Sequence, residues 1–144
     1  MHNYQMEPNS VFVQLQRGNI LSCKLPIFEH TGIYVGDGQV VELHGSGYIR
    51  KVPLNMFVRR SNQIFVACDP THTPLGNEDV ALNAEAHIGK YWGYHLINNN
   101  CHRFTSGCLK GKFHNTDNVF RKLEESLRKF YNIQSRIMWQ PVKW

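Results

Sequence analysis

The sequence predicts an α+β fold, a small antiparallel sheet packed with helices, on three observations. Short β-rich runs cut by Gly, Pro, Asn and Asp fill the first half of the 144 residues. Apolar residues at helical spacing recur in the second half, and no internal repeat or low-complexity tract interrupts either. Hydrophobic residues make up 42% and charged residues 19%, ordinary globular usage that excludes a disordered, collagen-like or disulfide-dense chain. The length suits a single domain over residues 1–144, able to bury about 68–70% of its unfolded surface.

Taken in order, residues 1–10 read as a loose arm. Val11, Val13 and Leu15 alternate with Phe12, Gln14 and Gln16 and predict a strand, after which Gly18-Asn19 turns the chain into Ile20–Cys23. The strongest local signal is Thr31 to His44, two β-rich runs around Gly36-Asp37-Gly38. A two-residue loop at Asp37-Gly38 would place Ile33 beside Glu42 and mix apolar with charged groups. A three-residue loop with Gly38 in the left-handed conformation shifts the pairing by one, so that Ile33 and Val35 share a face with Val41 and Leu43. His30, Gly32 and Tyr34 then share the other face with Val40, Glu42 and His44. Tyr48–Val52 and Gln63–Cys68 read as further strands, followed by a loop from Asp69-Pro70 to Gly76.

Three helices follow. Asn77 caps a helix over residues 78–88, with Glu78 and Asp79 in its first turn and Val80, Ala84 and Ile88 on one stripe. Cys101 starts a second, carrying Phe104, Thr105, Cys108 and Leu109 and stopped by Gly111. A third, over residues 116–131 from a Thr116-Asp117 cap, presents Phe120, Leu123, Leu127, Phe130 and Tyr131, with Glu124/Arg128 and Glu125/Lys129 as i,i+4 pairs. Such a stripe serves either core packing or a membrane surface.

The 16 Lys and Arg against 11 Asp and Glu are scattered in pairs such as Arg50-Lys51 and Arg59-Arg60, so no nucleic-acid partner is expected. The surplus suits peripheral contact with an anionic membrane. No apolar run approaches the ~18 residues needed to span a bilayer, and the expected compartment is the cytoplasm. The four cysteines, at 23, 68, 101 and 108, form no C-x-x-C pair and read as separate thiols. No cofactor is called for.

A free thiol is only a few per cent ionised at neutral pH, so a nucleophilic cysteine needs help. Cys101 has some, because a helix N-terminus favours an anion and its N–H groups can receive the oxyanion of a tetrahedral intermediate. The polar hairpin face supplies His30 as partner. Glu42, opposite the side-chain-free Gly32, has room to reach diagonally to the His30 ring and fix its tautomer. His44 competes for that orienting role, and Tyr34 is a candidate to line the site. His102 turns about 100° around the helix from Cys101 and reads as outside the pair. A zinc site from His30, His44 and Cys101 is the metal alternative, disfavoured by the absence of paired Cys/His spacings, so no metal is expected.

The run His30-x-Gly-Ile-Tyr-Val-Gly-Asp-Gly followed by Asn-Asn-Cys101 resembles the lecithin retinol acyltransferase family, within the circularly permuted NlpC-type papain-like superfamily, over roughly residues 17–109. The resemblance implies a permuted papain-like fold in which the histidine strand precedes the cysteine helix. It further implies a thioester intermediate on Cys101 with His30 as general base. Two positions depart from it. The acyltransferases carry a second histidine where this chain has Glu42, and their Asn-Cys-Glu-His-Phe box is here Asn100-Cys101-His102-Arg103-Phe104. A glutamate third member looks more like bacterial and poxviral permuted relatives, regarded as amidases, peptidases or lipid-acting hydrolases. The expectation is cysteine-dependent acyl transfer or hydrolysis on a lipid acyl ester, with an amide or peptide bond as runner-up. A membrane-surface binding module that keeps the fold without turnover is the non-enzymatic alternative.

Overall fold

The Gly-Asp-Gly hairpin anchors the sheet in the computed structural model, which describes residues 3–4, 13–59, 61–96 and 100–144. Its strands are β3 (Glu29–Gly36) and β4 (Gln39–Leu43). Ile33 pairs with Val41 and Tyr34 with Val40, the register that hydrophobic parity selects. The device that sets it differs from the expected three-residue loop. Gly36 pairs with Gln39 across a two-residue turn, Asp37 (φ 52°) and Gly38 (φ 71°), and a bulge between Tyr34 and Gly36 makes the one-residue shift.

Around this pair the sheet grows outward. β2 (Ile20–Lys24) flanks β3, and β5 (Ile49–Pro53) flanks β4. Beyond β2 lie β6 (Ile64–Cys68), β7 (Met138–Val142) and the two-residue β1 (Asn3–Tyr4), giving the order β1-β7-β6-β2-β3-β4-β5. Every neighbouring pair is antiparallel except β1 with β7. Of the expected arm only β1 lies within the described residues; the remainder of 1–10, with Val11 and Phe12, lies outside them. Residues 13–16 are not a strand. Val13 and Leu15 are half-buried while Gln14 and Gln16 are exposed, so the alternation is real, but Gln16 closes a turn on Asn19 instead of joining a ladder.

The helices are α1 (Leu54–Phe57), α2 (Glu78–Glu85), α3 (Cys101–Lys110) and α4 (Phe120–Phe130). Asn77 caps α2 by accepting from the Val80 N–H at 3.2 Å. That helix stops three residues before the expected Ile88, because Gly89 N–H donates to Ile49 O and Ile49 N–H to Lys90 O, drawing the chain towards β5. α3 ends at Gly111 with φ 72°, a left-handed stop suited to glycine. α4 begins at Phe120, later than expected, since Asp117 does not cap it. The Asp117 carboxylate instead accepts from Ser106, Ser126 and, at 2.8 Å, Lys110.

The sheet divides the core. On one side Ile20, Ile33, Val41 and Leu43 meet Phe104 and Cys108 of α3 and Leu123 and Leu127 of α4; on the other, Leu21, Cys23, Val40 and Val66 meet Phe57 of α1. The apolar stripe of α4 is thus spent on the interior, although Phe130 remains exposed. Trp139 of β7 is fully buried against Phe120 and donates its indole N–H to Glu124 at 2.9 Å. Among the described residues no helix is long and apolar enough to cross a membrane.

Candidate active site

Asn100 precedes Cys101 and builds the helix start around it. Its Oδ1 accepts from the N–H groups of His102 at 3.1 Å and Arg103 at 3.3 Å, while its Nδ2 donates to Leu96 O and Asn118 O. One side chain therefore caps α3 and ties two loops to the cysteine. It also uses the amides of residues 102 and 103, and Phe104 N–H bonds Asn100 O. Within the first turn this narrows the oxyanion candidate to the Cys101 N–H itself.

His30, near the start of β3, is buried, and its Nε2 lies 2.7 Å from Glu42 Oε1. Glu42 is wholly inaccessible. Its other oxygen accepts from Arg50 Nε at 2.8 Å, and Arg59 Nη2 lies 3.2 Å from both oxygens. Burial opposes ionisation of this carboxyl, but His30, Arg59 and Arg50 bring its pKa down to about 2. The space beside Gly32 is not what admits the glutamate. A Cβ there would lie 2.9 Å from Phe57 Cε1 and from Val40 Cγ1, so the glycine makes room for Phe57, whose ring packs 5.0 Å from that of His30.

Cys101 is 1% exposed. Burial alone would keep the thiol neutral, yet His102 and then His30 hold it well below the ordinary thiol value. Reciprocally, burial disfavours a charged His30, but Cys101 and Glu42 raise its pKa to about 9. Each group thus favours the charged form of the other.

Neither of the two other candidates takes the place beside the His30 ring. His44 turns into its own loop, where Nδ1 accepts from Ser46 N–H at 3.1 Å, and Glu42 takes the place beside His30. Tyr34 sits at the turn end of the hairpin with its hydroxyl accepting from Gly38 N–H at 3.0 Å, away from the clefts at Cys101 and His30. Among the described residues no three His, Cys, Asp or Glu side chains are arranged to hold a metal ion.

A cleft of about 270 Å³ opens onto Cys101 and His102 between Phe28, Tyr94, Leu96 and Phe120. A second, of about 220 Å³, shares Phe28, Tyr94 and Leu96 with it and reaches His30, His44 and Arg59. The thiol and the imidazole therefore face two adjoining compartments. Tyr94 stands at their junction, and burial together with the nearby Cys101 pushes its phenol up to about 12.

The family model of lecithin retinol acyltransferase matches residues 13–114, enclosing β2 to β6, α1 to α3 and the site residues up to Arg103, while Asn118 and Phe120 lie beyond it. The chain belongs to that family. No curated protein matches it. As a lecithin retinol acyltransferase family member it falls in a group whose chemistry is acyl transfer of a thiol-dependent kind. Four residues around this family member's site carry weak or misleading sequence signals. Arg50 was discoverable, because the Tyr48–Val52 strand laid antiparallel on β4 sets it opposite Glu42. Arg59 follows α1 with φ 54°, and Tyr94 comes from a loop, neither with a local pattern to announce it. His102 was seen but placed outside the pair; its Nδ1 lies 3.9 Å from Cys101 Sγ.

Proposed function

We propose that this protein transfers or hydrolyses acyl groups through a thioester on Cys101, with a lipid acyl ester as substrate. The observation that carries the reading is the line Glu42, His30, Cys101. Glu42 is ionised and holds Nε2 of His30 at 2.7 Å, which leaves Nδ1 for the thiol proton. With His30 raised to about 9 and the thiol lowered, that proton rests on His30 and the thiolate attacks the acyl carbonyl. The Cys101 N–H receives the oxyanion, and collapse of the tetrahedral intermediate expels the alkoxide, which takes the proton from His30. Water or another nucleophile then gives a proton to His30, attacks the thioester and restores the thiol.

The cleft supports the lipid reading. Its apolar walls end at a mouth formed by Ile27 (90% exposed), Leu96 (64%) and Val119 (44%), which suits an acyl chain entering from a membrane surface. The leaving group or acceptor lies in the adjoining compartment, where His30 exchanges protons. Basic residues scattered over the surface fit peripheral contact with anionic lipid.

Purified protein is incubated with lipid acyl esters and with peptides, beside Cys101→Ala. The expected results are ester turnover, its loss in the variant, and an acyl adduct on Cys101 by intact mass. Activity confined to peptides overturns the lipid reading. Liposome binding without any adduct overturns the enzyme reading in favour of a binding module.

A further inference from the structure

We propose that His102 is a second imidazole at the Cys101 sulfur, a fixed N–H donor that stabilises the thiolate without taking its proton.

The protonation follows from hydroxyl geometry. His102 is 5% exposed, and its Nδ1 lies 3.1 Å from Thr31 Oγ1 and 3.9 Å from Cys101 Sγ. A threonine hydroxyl has one proton, and that of Thr31 is donated to Thr105 Oγ1 at 3.1 Å. Towards His102 it therefore offers only lone pairs, and Nδ1 must carry the hydrogen. The same N–H faces the sulfur, with its main bond to Thr31 and its field on Cys101. His30 is arranged the other way, with Nε2 held by Glu42 and Nδ1 left for the thiol proton. Successive residues of β3 thus serve the two rings. His30 is one of them, and Thr31, on the opposite face of the strand, anchors the other.

The other groups about the sulfur do not replace this donor in the neutral range. Cys23 from β2 and the phenol of Tyr94 are both held protonated, each raised to about 12 with burial as the leading cause. Glu29 of β3 lines the same cleft and can only oppose a thiolate. A ring that donates at Nδ1 while His30 accepts leaves a single route for the thiol proton.

The inference rests on Cys101 being the nucleophile, and the tests separate the two. Ring ¹⁵N NMR of the wild-type protein is expected to show His102 with hydrogen on Nδ1 and a bare Nε2; the reverse tautomer overturns the proposal without a variant being made. Iodoacetamide alkylation of Cys101, located by peptide mass, is followed against pH. His102→Phe is expected to raise the thiol pKa by about one unit, slowing alkylation about tenfold at acidic pH. His102→Asn places an amide N–H where Nδ1 was and is expected to stay within about twofold of wild type. An unchanged profile in His102→Phe, or equal damage in both variants, overturns the donor role while leaving the nucleophile in place. A wild-type Cys101 that alkylates like an ordinary thiol overturns both readings.

Discussion

Replacing Glu42 by Gln keeps the shape of a buried, multiply paired side chain and removes its charge. In the native protein burial works against the carboxylate, but His30 at 2.7 Å, Arg50 at 2.8 Å and Arg59 at 3.2 Å lower its pKa from 4.5 to about 2. At 1.36 kcal/mol per pH unit the difference corresponds to about 3 kcal/mol of stability. The folded protein binds this proton less tightly than the unfolded chain. The contribution is therefore complete above pH 4.5, declines as pH falls, and is gone below about 2. Gln leaves two guanidinium groups facing His30 without a counter-charge, a buried imbalance of the kind that costs about 3–5 kcal/mol. His30 suffers as well. Its pKa of about 9 means that its stabilisation is complete below pH 6.5 and lost as pH rises through 9, and the variant moves this alkaline limb downward. Urea unfolding at pH 7 is expected to show a loss of about 3 kcal/mol that holds down to about pH 4.5 and shrinks from there towards pH 2. Turnover of an acyl ester is expected to fall on the order of 10²-fold or more. A variant within about 0.5 kcal/mol of wild type at pH 7, with kcat/KM unchanged, would refute the reasoning.

Asn100→Ala is expected to cost about 1–2 kcal/mol in urea unfolding through the lost cap, and to slow Cys101 alkylation further because the Leu96 and Asn118 anchors go with it. Gly32→Ala pushes a methyl against Phe57, Val40 and the Val41 carbonyl and is expected to lower stability by about 1–3 kcal/mol in urea unfolding, and activity with it as the ring packed on His30 is displaced. Asp117→Asn keeps the contacts' shape but weakens acceptance from Ser106, Ser126 and Lys110. Although burial favours the neutral form, Lys110 and the two serines lower this carboxyl below its usual range. The loss, about 1–3 kcal/mol by thermal unfolding at neutral pH, is expected to fade on acidification as the native carboxylate itself becomes protonated.

The hairpin register was legible because a one-residue slip would set Ile33 beside Glu42 and part Ile33 and Val35 from Val41 and Leu43, mixing charged with apolar groups on one face. The device producing it was not, since both a three-residue loop and a two-residue turn with a bulge satisfy the same parity. Glu42 was placed beside His30 for a reason that the packing replaces: Phe57, from a four-residue helix too short to leave a periodic trace, fills the gap at Gly32. β7 escaped because Pro141 argues against a strand. Pro141 pairs with Phe65 of β6 but lies past the residues that β1 covers, on a stretch that β1 leaves at the edge. Arg59 and Tyr94 reach the cleft from irregular chain, where position depends on tertiary contacts that no local pattern encodes.

The strands β2 to β5 follow one another in sequence and pair with their immediate neighbours, whereas α3 must dock from a stretch that lies beyond β6 and α2. Local meanders close at low entropic cost, so the histidine, the glutamate and Arg50 can assemble before the cysteine arrives. On the proposed function, that sulfur gains its reactivity only on docking, where His102 and His30 lower its pKa, so the appearance of a reactive Cys101 would date the completion of the fold.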